Sequence, residues 1–316
     1  MFGLIDFTLN KGIFLSISLI ARIFQGIGLS ASSSVLFAYL PQLYNDDSLQ
    51  QKIGYMEAST GKGMMIAPIF GSLLYYALGY QSLFYVIAGL LCILTPILIR
   101  ALPADQPISK EQNQPLSLWK ILSRRKVFLT YGFSAFTMGG FSFYEPGFAG
   151  HLNTFGMDVL GIGLIFSLGT FSYTIFMLIV GMYSEKYARS TLMGIGGIFY
   201  VISFLLLGPE GMIGIPRELW LICFGMIVMG FAATLTILPI MPEFIFLCEE
   251  IYPNEKLAVG DLSAGMFDSS YLVGGVFGPV LGGYLTNYCG FSHASSLYAV
   301  IFGSYLLIYM VFGGCL

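Results

Sequence analysis

The chain has 316 residues, 56% of them hydrophobic and only 10% charged, with a net charge of −3 and a mean hydropathy of +0.80. Soluble domains carry about 25% charged residues, so no soluble core hides this much apolar surface. The small net charge and the lack of a basic stripe argue against nucleic acid as a partner.

A spanning helix needs about 20 mostly apolar residues. Nine segments qualify: 12–40, 51–78, 81–101, 127–150, 157–183, 190–208, 217–247, 257–286 and 290–312. The lipid bilayer is therefore the first expected partner. No basic leader with a cleavage site is found. Between the third and fourth segments runs LPADQPISKEQNQPLSLWKILSRRK, residues 102–126, polar and ending in a basic cluster. It reads as a linker with a short amphipathic helix around Leu116–Leu122. The expected organisation is a partial N-terminal helical bundle (1–101), a linker (102–126) and a C-terminal six-helix bundle (127–316). On the linker side the loops hold ten lysines and arginines, against two, Lys11 and Arg217, on the other. Positive charge concentrates on the cytosolic side, which places the linker and the C-terminus in the cytosol.

Two stretches match each other: GMMIAPIFGS at 63–72 and GGVFGPVLGG at 274–283. Gly63, Ala67 and Gly71 share one helix face, as do Gly274, Gly278 and Gly282. Small residues at this spacing let helices approach closely in lipid. Pro68 and Pro279 each remove a backbone donor. The recurrence marks the two bundles as repeats, as in many secondary transporters, and the stripes are expected to let the bundles touch at their boundary.

Ionisable groups inside a membrane are costly, so they are functional candidates by default. Arg22 either anchors at an interface or lines a pathway. Glu145, followed by Pro146, is either an interfacial acid or a cation ligand beside a helix break. Asp268 lies mid-helix, six residues before Gly274; it is either a proton carrier or half of a structural ion pair. Glu57 and Lys62, five apart, are off the favoured i,i+4 spacing, so each has its own partner or Glu57 faces the bundle boundary. Glu243 and Asp261 sit near helix ends and read as interfacial, and His151 and His293 as loop histidines. STGKG at 59–63 resembles the end of a phosphate-binding loop, but Met56 and Gly63 stand where Gly and Ser/Thr are needed. With no zinc, nucleophile or cysteine-pair motif, no enzyme, metal site or cofactor is read; the five cysteines are scattered.

The motifs resemble the major facilitator superfamily. G274-x-x-x-G278-P279-x-x-G282 looks like its antiporter motif, ARIFQGIG (21–28) like its fourth-helix R-x-x-Q-G, and GMYSEKYARS (181–190) like the second copy of its cytosolic loop motif, carried by Gly181, Glu185 and Arg189. A closer resemblance is to the vesicular amine transporters, through FYEPGFAGHL (143–152), ILPIM (237–241) and MFDSSYLVGGVFGPVLGG (266–283). The resemblance implies an all-α polytopic membrane protein of the major facilitator fold, with equivalents of helices 4–6 and 7–12. Residues 1–11 resemble the tail of the third helix; equivalents of the first two and most of the third are lacking. It further implies that Arg22 belongs to the substrate pocket, that Glu145 contacts an amine, and that Asp268 pairs with a lysine of the second helix, which is lacking here. Thr234 stands where the family has a tenth-helix aspartate. The expected activity is proton-coupled antiport of an organic cation, amine or drug by alternating access. Arg22, Glu145 and Thr234 are then at the substrate, and Asp268 and Glu57 in proton coupling, in a vesicular, endolysosomal or plasma membrane. The alternatives are a non-transporting scaffold or subunit with a partner protein, or a piece of a longer chain.

Overall fold

The structure, a computed structural model, describes residues 11–43, 49–101, 116–208, 214, 216–253 and 255–314. The described secondary structure is helical, as expected where lipid leaves backbone groups no partner but their own helix. In chain order the helices are α1 (Lys11–Leu43), α2 (Leu49–Ala101), α3 (Leu118–Leu122), α4 (Arg125–Phe143), α5 (Glu145–Asn153), α6 (Val159–Tyr183), α7 (Arg189–Leu207), α8 (Leu219–Ile237), α9 (Ile240–Glu249), α10 (Lys256–Cys289) and α11 (Phe291–Tyr309). Residues 1–10 and 102–115, which include the tail of the third helix and most of the linker, lie outside the described residues.

The breaks follow local chemistry. Helix α2 is interrupted at Gly79 (φ 79°, ψ 176°), a conformation that glycine alone adopts freely. This is the junction expected between segments 51–78 and 81–101. The predicted span 127–150 is divided into α4 and α5 at Tyr144, with Pro146 in the first turn of α5. The predicted span 217–247 is divided into α8 and α9 at Leu238–Pro239. Proline lacks the donor that would continue the helical ladder. Helix α10 runs through Pro279 without a break.

Six described stretches are long and apolar enough to cross a membrane: Gly12–Ser33, Gln81–Arg100, Leu160–Tyr183, Arg189–Leu207, Leu219–Glu249 and Phe291–Gly313. The expected spans 51–78, 127–150 and 257–286 fall short of that mark. They are the ones that carry Glu57, Glu145, Asp268 and the glycine stripes.

Helices α4 to α11 form a packed bundle with an aromatic centre of Phe133, Phe143, Tyr200, Phe204, Tyr298 and Phe302. Buried tyrosines need a partner for their hydroxyls, and here they take carbonyls of α4. Tyr200 Oη donates to Thr137 O at 2.7 Å, Tyr298 Oη to Phe136 O at 2.6 Å and Tyr305 Oη to Leu129 O at 2.9 Å. Helices α1 and α2 touch each other over a small area. Instead α1 lies on α10, and the first half of α2 lies on α6.

Candidate functional site at the boundary between the two halves

Two acids meet the other half of the molecule. On α2, Glu57 is buried and its Oε2 accepts a hydrogen bond from Tyr173 Oη of α6 at 2.8 Å. Glu57 thus has its own partner, Tyr173, and also faces the boundary, while Lys62 is exposed. Tyr173 is held from behind by α8. Thr234 Oγ1 donates to Tyr173 O at 3.3 Å and to Gly230 O at 3.0 Å. A Cβ on Gly230 would fall 2.5 Å from both Gly169 O and Tyr173 N. Thr234 is fully buried, and its hydroxyl is taken up by these carbonyls.

On α10, Asp268 is buried and faces α1. Ser33 Oγ donates to its Oδ1 at 2.8 Å, and Ser30 Oγ to its Oδ2 at 3.3 Å. Glu57 and Asp268 stand 211 positions apart, the same offset that separates Gly63 from Gly274. They are thus equivalent positions of the two repeats, and each reaches across to the opposite half.

The glycine stripes do something other than expected. A Cβ on Gly274, Gly278 or Gly282 would strike the carbonyl oxygens of Ala135, Gly139 and Phe143 respectively, all on α4. The second stripe therefore lies inside the C-terminal bundle and not at the boundary. The reason is helical geometry. Ser270, whose hydroxyl bonds Ser134 of α4 at 2.6 Å, is two residues from Asp268, which at about 100° per residue puts them on opposite faces. The face that carries the stripe points to α4 and the face that carries Asp268 points to α1. In α2 the same holds. A Cβ on Gly63 or Gly71 would meet no described atom within 4 Å, and the Pro68 side chain is outside the described residues.

The close approach at the boundary is made by glycines the motif reading passed over. A Cβ on Gly54 would lie 3.3 Å from Met177 O and 3.4 Å from Gly181 Cα, and one on Gly61 would press on Thr174 and Tyr173. Gly54, Ala58 and Gly61 do carry small-residue helical spacing, which was the available signal. Gly181 of the loop motif is thus also a packing partner of Gly54. Arg189 of the same motif pairs with Glu243 (Nη1 to Oε2, 3.7 Å) and lies over the Phe246 ring at 5.4 Å. Glu243 is accordingly half-buried and paired. The Glu185 side chain lies outside the described residues.

Arg22 is exposed and its Nη1 donates to Gln25 Oε1 at 3.0 Å. The two line an open groove of about 640 Å³ between α1 and the second half of α2, with Phe24, Phe84, Ile87 and Leu91. Glu145 opens α5 at the break and is exposed; it is not part of that groove. His151 was expected in a solvated loop, just past the span 127–150. It is instead buried, stacked on Phe291 at 4.8 Å, with Phe155 against its edge. Burial, with Arg217 nearby, lowers its pKa to about 4. No described group of His, Cys, Asp and Glu is arranged to hold a metal ion.

Helices of membrane-spanning length, two repeats and buried acids between them define a polytopic all-α membrane protein built from two halves. Residues 2–256 and 146–314 match the sequence model of the Major Facilitator Superfamily, and the chain belongs to that superfamily. It is similar to the MFS-type transporter SLC18B1 of Homo sapiens, 28% identical over 317 residues, covering 96% of this chain and 67% of that protein. The Mus musculus MFS-type transporter SLC18B1 is 27% identical over 304 residues, covering 94% and 65%. The synaptic vesicular amine transporter of Rattus norvegicus is 25% identical over 288 residues, covering 90% and 53%. The chain thus spans about two thirds of the length of the first relatives and about half of the amine transporter. These relatives are transporters by name, not enzymes.

Proposed function

We propose that the chain is the greater part of a secondary transporter that exchanges protons for a small organic cation, amine or drug by alternating access. The observation that carries this reading is the pair Glu57 and Asp268, buried acids at equivalent repeat positions, each bound across the boundary. A rocking motion of the two halves must break or remake the bonds from Tyr173 and from Ser30 and Ser33. Hydrogen bonds to an ionised carboxylate are about twice as strong as neutral ones. Protonation of Asp268 then weakens the hold of α10 on α1, and deprotonation restores it. That links proton uptake to the change of shape.

In this reading Arg22 and Glu145 meet the substrate, one on each half, with Thr234 holding Tyr173 in place behind the boundary. The names of the relatives support an amine as cargo. The C-terminus and the linker lie on the cytosolic side, which agrees with the bias of lysine and arginine.

The test uses the chain in its full native length, reconstituted in vesicles with an imposed pH gradient. Asp268→Asn is expected to abolish pH-driven uptake of an amine while the protein still inserts and keeps its melting temperature. Wild-type uptake in that variant would exclude Asp268 as the proton carrier. Counterflow without a gradient separates the roles: it survives in Asp268→Asn if only coupling is lost.

A further inference from the structure

We infer that the chain binds the phosphorylated headgroup of an anionic lipid in a basic cavity at one end of the C-terminal bundle. The inference rests on the chain spanning a membrane, and it does not depend on what is transported. The cavity measures about 310 Å³ and lies between the start of α4 and the end of α9, lined by Arg124, Arg125, Lys126, Val127, Leu247, Glu250 and Ile251. Three consecutive cations thus share one wall system with a single carboxylate. Among the described residues Arg124 and Arg125 make no ion pair within 4 Å. Arg125 lies over the Phe312 ring at 4.2 Å, so a π face rather than a carboxylate holds it. Lys126 also feels Glu243. A fourth cation, Lys120, sits over the ring of Tyr252 at 4.9 Å, beside the lining residue Ile251.

Three like charges in a row repel one another, and that cost is relieved by an anion with several acceptor oxygens. Arginine's planar fork suits phosphate. The surroundings point to a lipid as its source rather than a free ion. Helix α3 is pinned to the bundle by Ile121, fully buried, while Trp119 is 80% exposed and Leu118 is also turned outward. Tryptophan beside a basic cluster at the end of a span is the pattern of a membrane–water interface. Phe128, one turn into α4, is exposed as well. A headgroup in the cavity therefore has apolar surface alongside for its acyl chains. Basic clusters next to a span attract anionic lipids with an affinity that grows with each lysine or arginine.

The test is native mass spectrometry of the full chain released from nanodiscs that contain phosphatidylcholine with either phosphatidylserine or phosphatidylinositol 4-phosphate. The expected result is retention of the anionic lipid, the phosphoinositide above phosphatidylserine. Arg124→Gln/Arg125→Gln/Lys126→Gln should reduce retention about tenfold or more. Glu250→Gln removes the opposing carboxylate and should raise retention; this gain is a result that a merely structural cluster does not produce, and it keeps the test decisive if the triple variant fails to fold. Equal retention of phosphatidylcholine, or no gain in Glu250→Gln, overturns the inference. Displacement of the lipid by millimolar inorganic phosphate, with no adduct preference among lipids, would assign the cavity to a free anion instead.

Discussion

The two halves of this molecule carry the same sequence signature and pack in opposite ways. In the C-terminal bundle the stripe Gly274, Gly278 and Gly282 lies so close to α4 that three carbonyl oxygens occupy the space of the missing side chains. In the N-terminal part a Cβ on the matching Gly63 or Gly71 would meet no described atom within 4 Å. In an apolar window of 18 residues, 78% of the residues are buried within Leu219–Glu249, against 6% within Gly12–Ser33 and 0% within Gln81–Arg100. The difference teaches that a glycine stripe records a capacity for close approach. Whether it is used depends on which helix stands opposite. The core therefore resides mainly in α4 to α11, while α1 meets α10 through Ser30 and Ser33, and the first half of α2 packs on α6 through Ile53, Gly54, Ala58 and Gly61 beside the Glu57–Tyr173 bond.

The largest effect expected from that contrast comes from filling the stripe. Gly278→Ala places a methyl on Gly139 O and should destabilise the bundle by about 3 kcal/mol, the upper end for overpacking, because a carbonyl on a helix has little freedom to move. Gly71→Ala, with open space for its methyl, should instead be neutral or stabilise by up to about 1 kcal/mol through helix propensity. Thermal unfolding of the detergent-solubilised chain reads both. Equal effects at the two positions would dissolve the contrast.

Next in size is the boundary itself. Tyr173→Phe removes the hydroxyl that binds Glu57 in a buried setting. Removing a partner from a buried acceptor costs about 1–3 kcal/mol. A double-mutant cycle with Glu57→Gln should show coupling above about 0.5 kcal/mol, the threshold for neighbours that interact. The same cycle between Gly63→Ala and Tyr173→Phe should show none. Additive behaviour of Glu57 and Tyr173 would mean that the bond does not tie the halves together.

A pH effect follows from His151, on the C-terminal side. Its pKa in the fold is lowered from 6.5 to about 4 by burial and by Arg217. The unfolded chain therefore binds this proton more readily than the folded one. Stability from this group is present above pH 6.5 and is lost as pH falls toward about 4. Unfolding followed from pH 7 to 4 should show that decline, and His151→Gln should flatten it. An identical slope in the variant would place the acid sensitivity elsewhere.

Much of this was legible in the sequence, and what was missed has a geometric cause. The junction at Gly79, the break at Glu145-Pro146 and the short helix, expected around Leu116–Leu122 and found at Leu118–Leu122, follow from local chemistry, whereas the boundary position of Glu57 was one of two readings its spacing left open. The face of each stripe was readable too. Asp268 and Gly274 are six residues apart, which at about 100° per residue separates them by about 120° around the helix. An acid that meets the other half and a stripe so displaced cannot share one neighbour. What no single stretch reveals is the partner: Ser30 and Ser33 reach Asp268, and Tyr173 reaches Glu57, across more than a hundred residues of chain. His151 misled for a related reason: Phe155 is a near neighbour in the chain, but Phe291, which stacks on the imidazole, comes from α11 far along the sequence. Arg22 and Glu145 stood out as ionisable groups in predicted spans, and the resemblance alone gives them a place at the substrate.

The smallest expected effect lies at the loop motif that flanks the boundary. Arg189 Nη1 stands 3.7 Å from Glu243 Oε2, with the arginine 37% and the glutamate 17% exposed. Exposed pairs of this kind contribute about 0.2–1 kcal/mol, and half-exposure on the arginine side puts this one near the lower end. Arg189 also faces the Phe246 ring, so Arg189→Ala alone mixes two losses. A double-mutant cycle of Arg189→Gln and Glu243→Gln, run at low salt and at about 1 M salt, gives the charge coupling, and Arg189→Lys alone gives the ring contact. Lysine keeps the charge but lacks the planar group that lies over the ring. The charge coupling should fade at high salt, where the screening length is about 3 Å, while the cost of losing the ring contact should persist. If instead the coupling is large and insensitive to salt, the pair acts as a buried lock at the end of α7. The loop motif would then fasten α7 to α9 within the C-terminal bundle, apart from the Glu57–Tyr173 bond that joins the two halves.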